Sequence, residues 1–299
     1  MVVKLTVFLV TLLFPVLLSA QKKTLAQKIE DAAIPVKGMV GVAIQMIDDP
    51  DNTTITSFNA DKRFPMQSVY KFPLAMAVLD QVDKGKFSLD QKIRIQKSDL
   101  LPNTWSPLAK KYPDGNVDVT LREILEFTVA RSDNNGCDIL FRLMGGTGVV
   151  QSYIHGLGVK QIAITGTEEE MHKNYNAQFN NWCTPLGMLQ LLNVFYKGMV
   201  LSPSSQVFLM ETMIATITGP RRLKGLLPEG TSVAHKTGNS GANQAGVIAA
   251  ANDVGIITLP DGKHLAIVVY VSDTKVDEKI IDNCIATISK EAWDHFTGG

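Results

Sequence analysis

Strand-type alternation is confined to the two ends of this chain, and that distribution limits its fold more than any other feature. Residues 39–47 and 53–58 alternate near the start. Residues 232–237, 247–259 and 265–271 do so near the end, the last two joined by a Pro260-Asp261-Gly262 turn. From about 66 to 216 the apolar spacing is helical instead. Thr120 with Glu123 reads as a capping box before Leu121, Ile124, Leu125 and Phe127. Thr184-Pro185 supplies a cap and a first-turn proline for another helix, and Gly145-Gly146 separates two more. A short helix over 24–33 and an amphipathic one over 277–296 flank the strand regions. Strands so far apart in sequence can share a sheet only if the two ends of the chain meet. The expected architecture is therefore α/β of the α+β kind. An antiparallel sheet with flanking helices is built from 21–61 and 218–299, beside an all-helical lobe from 62–217. A cleft is expected where the lobes join.

The first twenty residues lie outside that pattern. Lys4 precedes an apolar run over 5–18, interrupted by Thr6, Thr11 and Pro15, and Ser19-Ala20 offers small residues for cleavage. This reads as an export signal over 1–20; the run is too short to span a bilayer, so no stable membrane anchor is expected. Lys+Arg and Asp+Glu each total 29, so no basic excess points to a nucleic-acid partner. Three cysteines, Cys137, Cys183 and Cys284, leave at least one thiol unpaired within the chain. Cys284 shares a helical stripe with Ile280, Ile281, Ile285 and Ile288 and reads as a buried thiol. The five histidines are scattered and no Cys-x-x-Cys occurs, so neither metal nor cofactor is expected.

Chemistry enters at Ser68-Val69-Tyr70-Lys71. A helix starting near Ser68 would put the Lys71 amine beside the Ser68 hydroxyl, since i and i+3 share a face. A serine needs a base to become nucleophilic, and Lys71 serves if burial or a nearby cation lowers its pKa. The Ser68 backbone N–H, in the first turn, would be free to hold an oxyanion. The pattern alone decides nothing: Ser-x-x-Lys recurs at Ser19 and Ser272, about as often as ordinary composition provides. Ser132-Asp133-Asn134 and Lys236-Thr237-Gly238, each occurring once and in this order, change its weight.

Together the three motifs resemble the set shared by class A serine β-lactamases and penicillin-binding proteins, over nearly all of the mature chain. The resemblance implies roles. Ser68 would be acylated; Ser132 would relay a proton to the departing nitrogen. Asn134 would bind the substrate's side-chain amide and orient Lys71. Lys236 and Thr237 would meet the substrate carboxylate, and the Asn239 backbone N–H would join that of Ser68 in the oxyanion hole. Asp133 reads as a structural brace. Glu168, in Glu168-Glu169-Glu170-Met171-His172, aligns with the Ω-loop glutamate that activates the deacylating water, with His172 where an asparagine usually helps hold that water. Whether Lys71 or Glu168 is the acylation base stays open.

Departures from the family pattern indicate a branch. Gly166 and Asn181 replace an Arg and an Asp that usually pin the Ω-loop by an ion pair. The runs 64–68 and 218–225, the Glu…Met-His loop and the long segment 239–252 resemble the PER, VEB and TLA extended-spectrum enzymes. By that resemblance Arg222 lies near the substrate carboxylate, and Trp105 is either an aromatic gatekeeper or plain packing. The resemblance implies small β-lactam substrates, oxyimino-cephalosporins among them, and a monomer in the periplasm. A DD-peptidase using the same motifs, or a covalent β-lactam sensor, are the competing readings; the Glu168 loop speaks against both.

Overall fold

The computed structural model describes residues 2, 22–49 and 54–298. Apart from Val2 the export signal over 1–20, with its Ser19-Ala20 cleavage site, lies outside the described residues, as does Thr53. The strands are β1 Met39–Met46, β2 Thr56–Phe58, β3 Phe64–Pro65, β4 Lys92–Ile95, β5 Val117–Thr120, β6 Ile162–Ala163, β7 Trp182–Cys183, β8 Val233–Asn239, β9 Ala251–Thr258 and β10 His264–Ser272. The helices are α1 Leu25–Ala33, α2 Lys71–Asp83, α3 Pro107–Lys111, α4 Leu121–Ala130, α5 Asn134–Met144, α6 Thr147–Gly156, α7 Glu168–Lys173, α8 Pro185–Tyr196, α9 Pro203–Ile214 and α10 Glu278–Thr297.

Strands from both ends of the chain form one antiparallel sheet in the order β2-β1-β10-β9-β8, with Met39 opposite Ser272 and Val233 opposite Ile257. One face packs against α1 and α10 through Ile29, Val42, Ile44, Ile267, Val269, Ile281 and Ile288. The other face joins the helical core through Ala43, Val254, Val268 and Tyr270, which meet Phe64, Met66 and the α8 residues Leu189 and Leu192. Strand β8 is left at one edge of the sheet, beside the turn that carries Ser68. Among the described residues no helix is long and apolar enough to cross a membrane.

Local signals resolve as chemistry dictates, with instructive exceptions. Thr120 Oγ1 caps the Glu123 N–H, but Glu123 does not return the bond; its carboxylate takes Lys111 Nζ at 2.6 Å and Tyr112 Oη at 2.9 Å. Thr24 and Gln27 form the reciprocal box at α1, and Gly145 and Gly146 turn the chain at φ 89° and 108°. Residues 247–250 are not strand: Ile248 makes isolated bridges to Ala242 and Thr274, and the strand begins at Ala251. Cys284 is buried with Ile281, Ile285 and Ile288, while Ile280 is partly solvent-exposed, one step off the stripe. All three cysteines are free and buried.

Candidate active site

Ser68 sits in a 3-10 turn over Gln67–Tyr70 that runs into α2, a tighter start than the α-helix expected from the motif. In such a turn residues i and i+3 eclipse, which brings Lys71 Nζ to 3.0 Å from Ser68 Oγ. Gln67, just before Ser68, is held at φ +48°, a strained value for a residue with a Cβ. Lys71 is fully buried, and its Nζ donates to Asn134 Oδ1 at 2.5 Å and to the Ser132 carbonyl at 2.9 Å. It also lies 2.9 Å from Glu168 Oε1, a charge contact without hydrogen-bond geometry. Ser132 and Asn134 come from the turn into α5 and Glu168 from α7, and Lys71 is their common neighbour.

Ser132 occupies the connection between α4 and α5 at φ +56°. Asp133 braces that connection: it caps α5 through the Gly136 N–H and accepts from Ser106 Oγ and the Leu108 N–H. Lys236, fully buried on β8, donates to Ser132 Oγ at 2.9 Å. Burial, then the charge of Lys71, holds the Lys236 amine well below the usual lysine range. Thr237 Oγ1 lies 2.6 Å from Thr218 Oγ1. Gly238 permits the close approach of β8 to the serine turn. A Cβ there would overlap the Met66 carbonyl and lie 3.1 Å from Gln67 Cβ and 3.3 Å from Ser68 N. Asn252 ties the same junction, donating to the carbonyls of Pro65 and Met66.

The three consecutive glutamates do three different things. Glu168 faces the cleft, Glu169 pairs with Lys173 at 2.6 Å, and Glu170 closes a capping box with Thr167. At the neck of the Ω-loop an amide stands in for the usual charge pair. Buried Asn181 accepts from the Thr165 and Gly166 N–H groups at 2.8 and 2.9 Å and donates to the Gly166 carbonyl at 2.8 Å. An amide can do both; a carboxylate can only accept. Replacing Asn181 by Ala is therefore expected to cost about 3 kcal/mol in denaturant unfolding, because buried backbone groups lose their partners. Asn181→Asp should destabilise too, since Gly166 offers no cation.

Asp138, on α5, was not legible as a site residue. Its two carboxylate oxygens accept the Glu168 and Glu169 N–H groups at 2.8 and 2.9 Å, fixing the start of α7. Burial raises its pKa to about 6. A carboxyl raised in the folded state stabilises folding below the unfolded pKa, and that contribution is lost as pH rises through the folded value. Between pH 7 and pH 4 the stability of the wild type should thus rise relative to Asp138→Asn by about 2 kcal/mol, read from paired urea titrations.

A cleft of about 350 Å³ is lined by Gln67, Ser68, Trp105, Ser132, Asn134, Glu168, Thr218 to Arg222, Thr237, Asn239, Glu278 and Asp282. Trp105 is half exposed at its mouth, its indole N–H donating to the Arg131 carbonyl at 2.9 Å. Asn239 Nδ2 donates to Glu278 Oε1 at 3.2 Å. His172 is exposed on α7 and does not line the cleft. The Arg222 guanidinium is buried, and it donates from Nε to Asp282 and from Nη1 to the Gly238 and Asn252 carbonyls. Glu278 and Asp282 belong to α10, more than a hundred residues from Ser132, and no local pattern marks them.

A sheet built from both ends of the chain, helices against its edge, and a Ser68–Lys71 pair where the two meet form the arrangement expected from the motif resemblance to serine β-lactamases and penicillin-binding proteins. Comparison with known proteins narrows it. Residues 23–296 match the β-lactamase enzyme family. The chain is 45% identical to β-lactamase VEB-1 of Pseudomonas aeruginosa over 291 residues, 96% of each chain. It is 42% identical to the extended-spectrum β-lactamase PER-1 of the same organism, over 92% of this chain and 88% of that one. The crystal structure of TLA-3 extended-spectrum β-lactamase superposes with a TM-score of 0.89 at 54% identity, covering 91% of this chain and 98% of that one. The chain belongs to the β-lactamase family, in the class A branch that holds the VEB, PER and TLA enzymes.

Proposed function

We propose that this β-lactamase works through an acyl-enzyme on Ser68, formed with Lys71 as its immediate proton partner and hydrolysed by a water activated by Glu168. The observation that carries this is the position of one side-chain nitrogen: Lys71 Nζ lies within 3.0 Å of Ser68 Oγ, Glu168 Oε1, Ser132 O and Asn134 Oδ1. In acylation the Ser68 proton leaves toward Lys71 or Glu168 as Oγ bonds to the lactam carbonyl carbon. Backbone N–H groups of Ser68 and Asn239 take the developing oxyanion. The C–N bond then breaks, and the nitrogen receives its proton through Ser132, whose Oγ already accepts from Lys236. Lys236 and Thr237 receive the substrate carboxylate, and Asn134 the side-chain amide. In deacylation Glu168 takes a proton from water as that water attacks the ester.

The long 239–250 loop and the Trp105 mouth fit bulky side chains, so oxyimino-cephalosporins are among the substrates, and resistance to them is the biological outcome. Residues 1–20 direct export, and the mature enzyme acts as a periplasmic monomer. Residues 21–61 with 218–299 form one lobe and 62–217 the other. The test is a chromogenic cephalosporin mixed with the mature protein, followed by turnover and intact mass together. Continuous turnover is expected, and Ser68→Ala should lose both turnover and adduct. A stoichiometric burst with a stable adduct would instead mark a penicillin-binding protein or a sensor.

A further inference from the structure

We propose that Arg222 and Asp282 tune the oxyanion hole by gripping the far end of the peptide whose N–H is the second donor. This rests on the acyl-serine reading above. Arg222 Nη1 donates to the Gly238 carbonyl at 3.2 Å and to the Asn252 carbonyl at 2.9 Å. The Gly238 carbonyl and the Asn239 N–H are two ends of one planar trans peptide, pointing in opposite directions. A cation at the oxygen end draws electron density from the nitrogen and strengthens the N–H as a donor to a developing anion. In a dry site such polarisation gains roughly a tenth to a third per bond, the range for coupled hydrogen bonds. Arg222 is 5% exposed, so solvent screens it little.

The grip also sets direction. Gly238 and Asn252 face each other across β8 and β9, so one guanidinium holds the end of the edge strand to its neighbour. Asp282 aims that guanidinium, accepting from Arg222 Nε at 3.0 Å on one oxygen and from Arg221 on the other. Two of the three Arg222 nitrogens are thus committed to protein acceptors, with Asp282 shared between Arg222 and Arg221. That is a poor arrangement for capturing a substrate anion and a good one for fixing a peptide. Arg222 is a positioning residue in this assignment, acting through Asn239.

The experiment separates the two roles. Acylation is measured by stopped flow with a chromogenic cephalosporin and with its methyl ester, which lacks the anion. The ester-carbonyl infrared band of the acyl-enzyme is recorded in a Glu168→Gln background. For Arg222→Lys the expected result is a loss of about tenfold in acylation for acid and ester alike, a fraction of a full donor's contribution, with the band moved to higher frequency. Asp282→Asn, which keeps the guanidinium, should move both readouts the same way by less, and it carries the test if Arg222→Lys does not fold. A loss confined to the acid, with the band unmoved, would overturn the proposal in favour of carboxylate binding. No adduct on Ser68 in the Glu168→Gln background would overturn the acyl-serine reading and this inference together.

Discussion

Glu168→Gln should acylate at a rate near wild type and then hydrolyse the acyl ester about 10²–10⁴-fold more slowly, the usual span for loss of a general base. The substitution keeps the shape of the side chain and removes only its ability to take a proton. Lys71 loses one partner at 2.9 Å but stays anchored by Asn134 and the Ser132 carbonyl, so the serine side of the site survives. Quenched samples should show one adduct per protein by intact mass, with burst amplitude equal to enzyme concentration. If acylation falls by the same factor as deacylation, Glu168 is the base in both steps and Lys71 orients. Glu169→Gln is the control: Glu169 is paired to Lys173 on the exposed side of α7, and its variant should turn over normally.

Gly238→Ala is the second large effect, expected to lower acylation by about 10²–10³, the cost of losing one oxyanion donor. The added methyl has nowhere to go: it meets the Met66 carbonyl, Gln67 Cβ and Ser68 N, all part of the turn that aims the nucleophile. Backbone on both sides must part, moving the Asn239 N–H away from Ser68. Because Lys236 and Thr237, the residues proposed to receive the substrate carboxylate, precede the strained position on β8, KM should change less than kcat. Equal change in both would mean that the substrate-binding part of the strand has moved as well.

Much of this was readable in advance, because the signals are short-range. Capping residues, helical spacing and the Pro260-Asp261-Gly262 turn act over a few residues, and the i,i+3 spacing of Ser68 and Lys71 is fixed by helix geometry of either kind. Ser132, Asn134 and Lys236 were recognisable by motif, and Glu168 by its spacing from them. Even within this range competition shifts the outcome. Glu123 takes Lys111 and Tyr112 instead of returning a cap, and residues 247–250 lie outside the strand, Ile248 alone bridging Ala242 and Thr274.

The sequence by itself determined the two-ended sheet, the helical middle, the three motifs around Ser68 and the branch of the family. Only the tertiary structure decided how the Ω-loop is fastened, what sets the start of α7, and where the Arg222 guanidinium goes. Those answers rest on Asn181, Asp138 and Asp282, whose partners lie 15 to 60 residues away in the chain. A buried carboxylate or amide takes its role from whichever backbone groups folding leaves unpaired beside it, and no local pattern records which those will be.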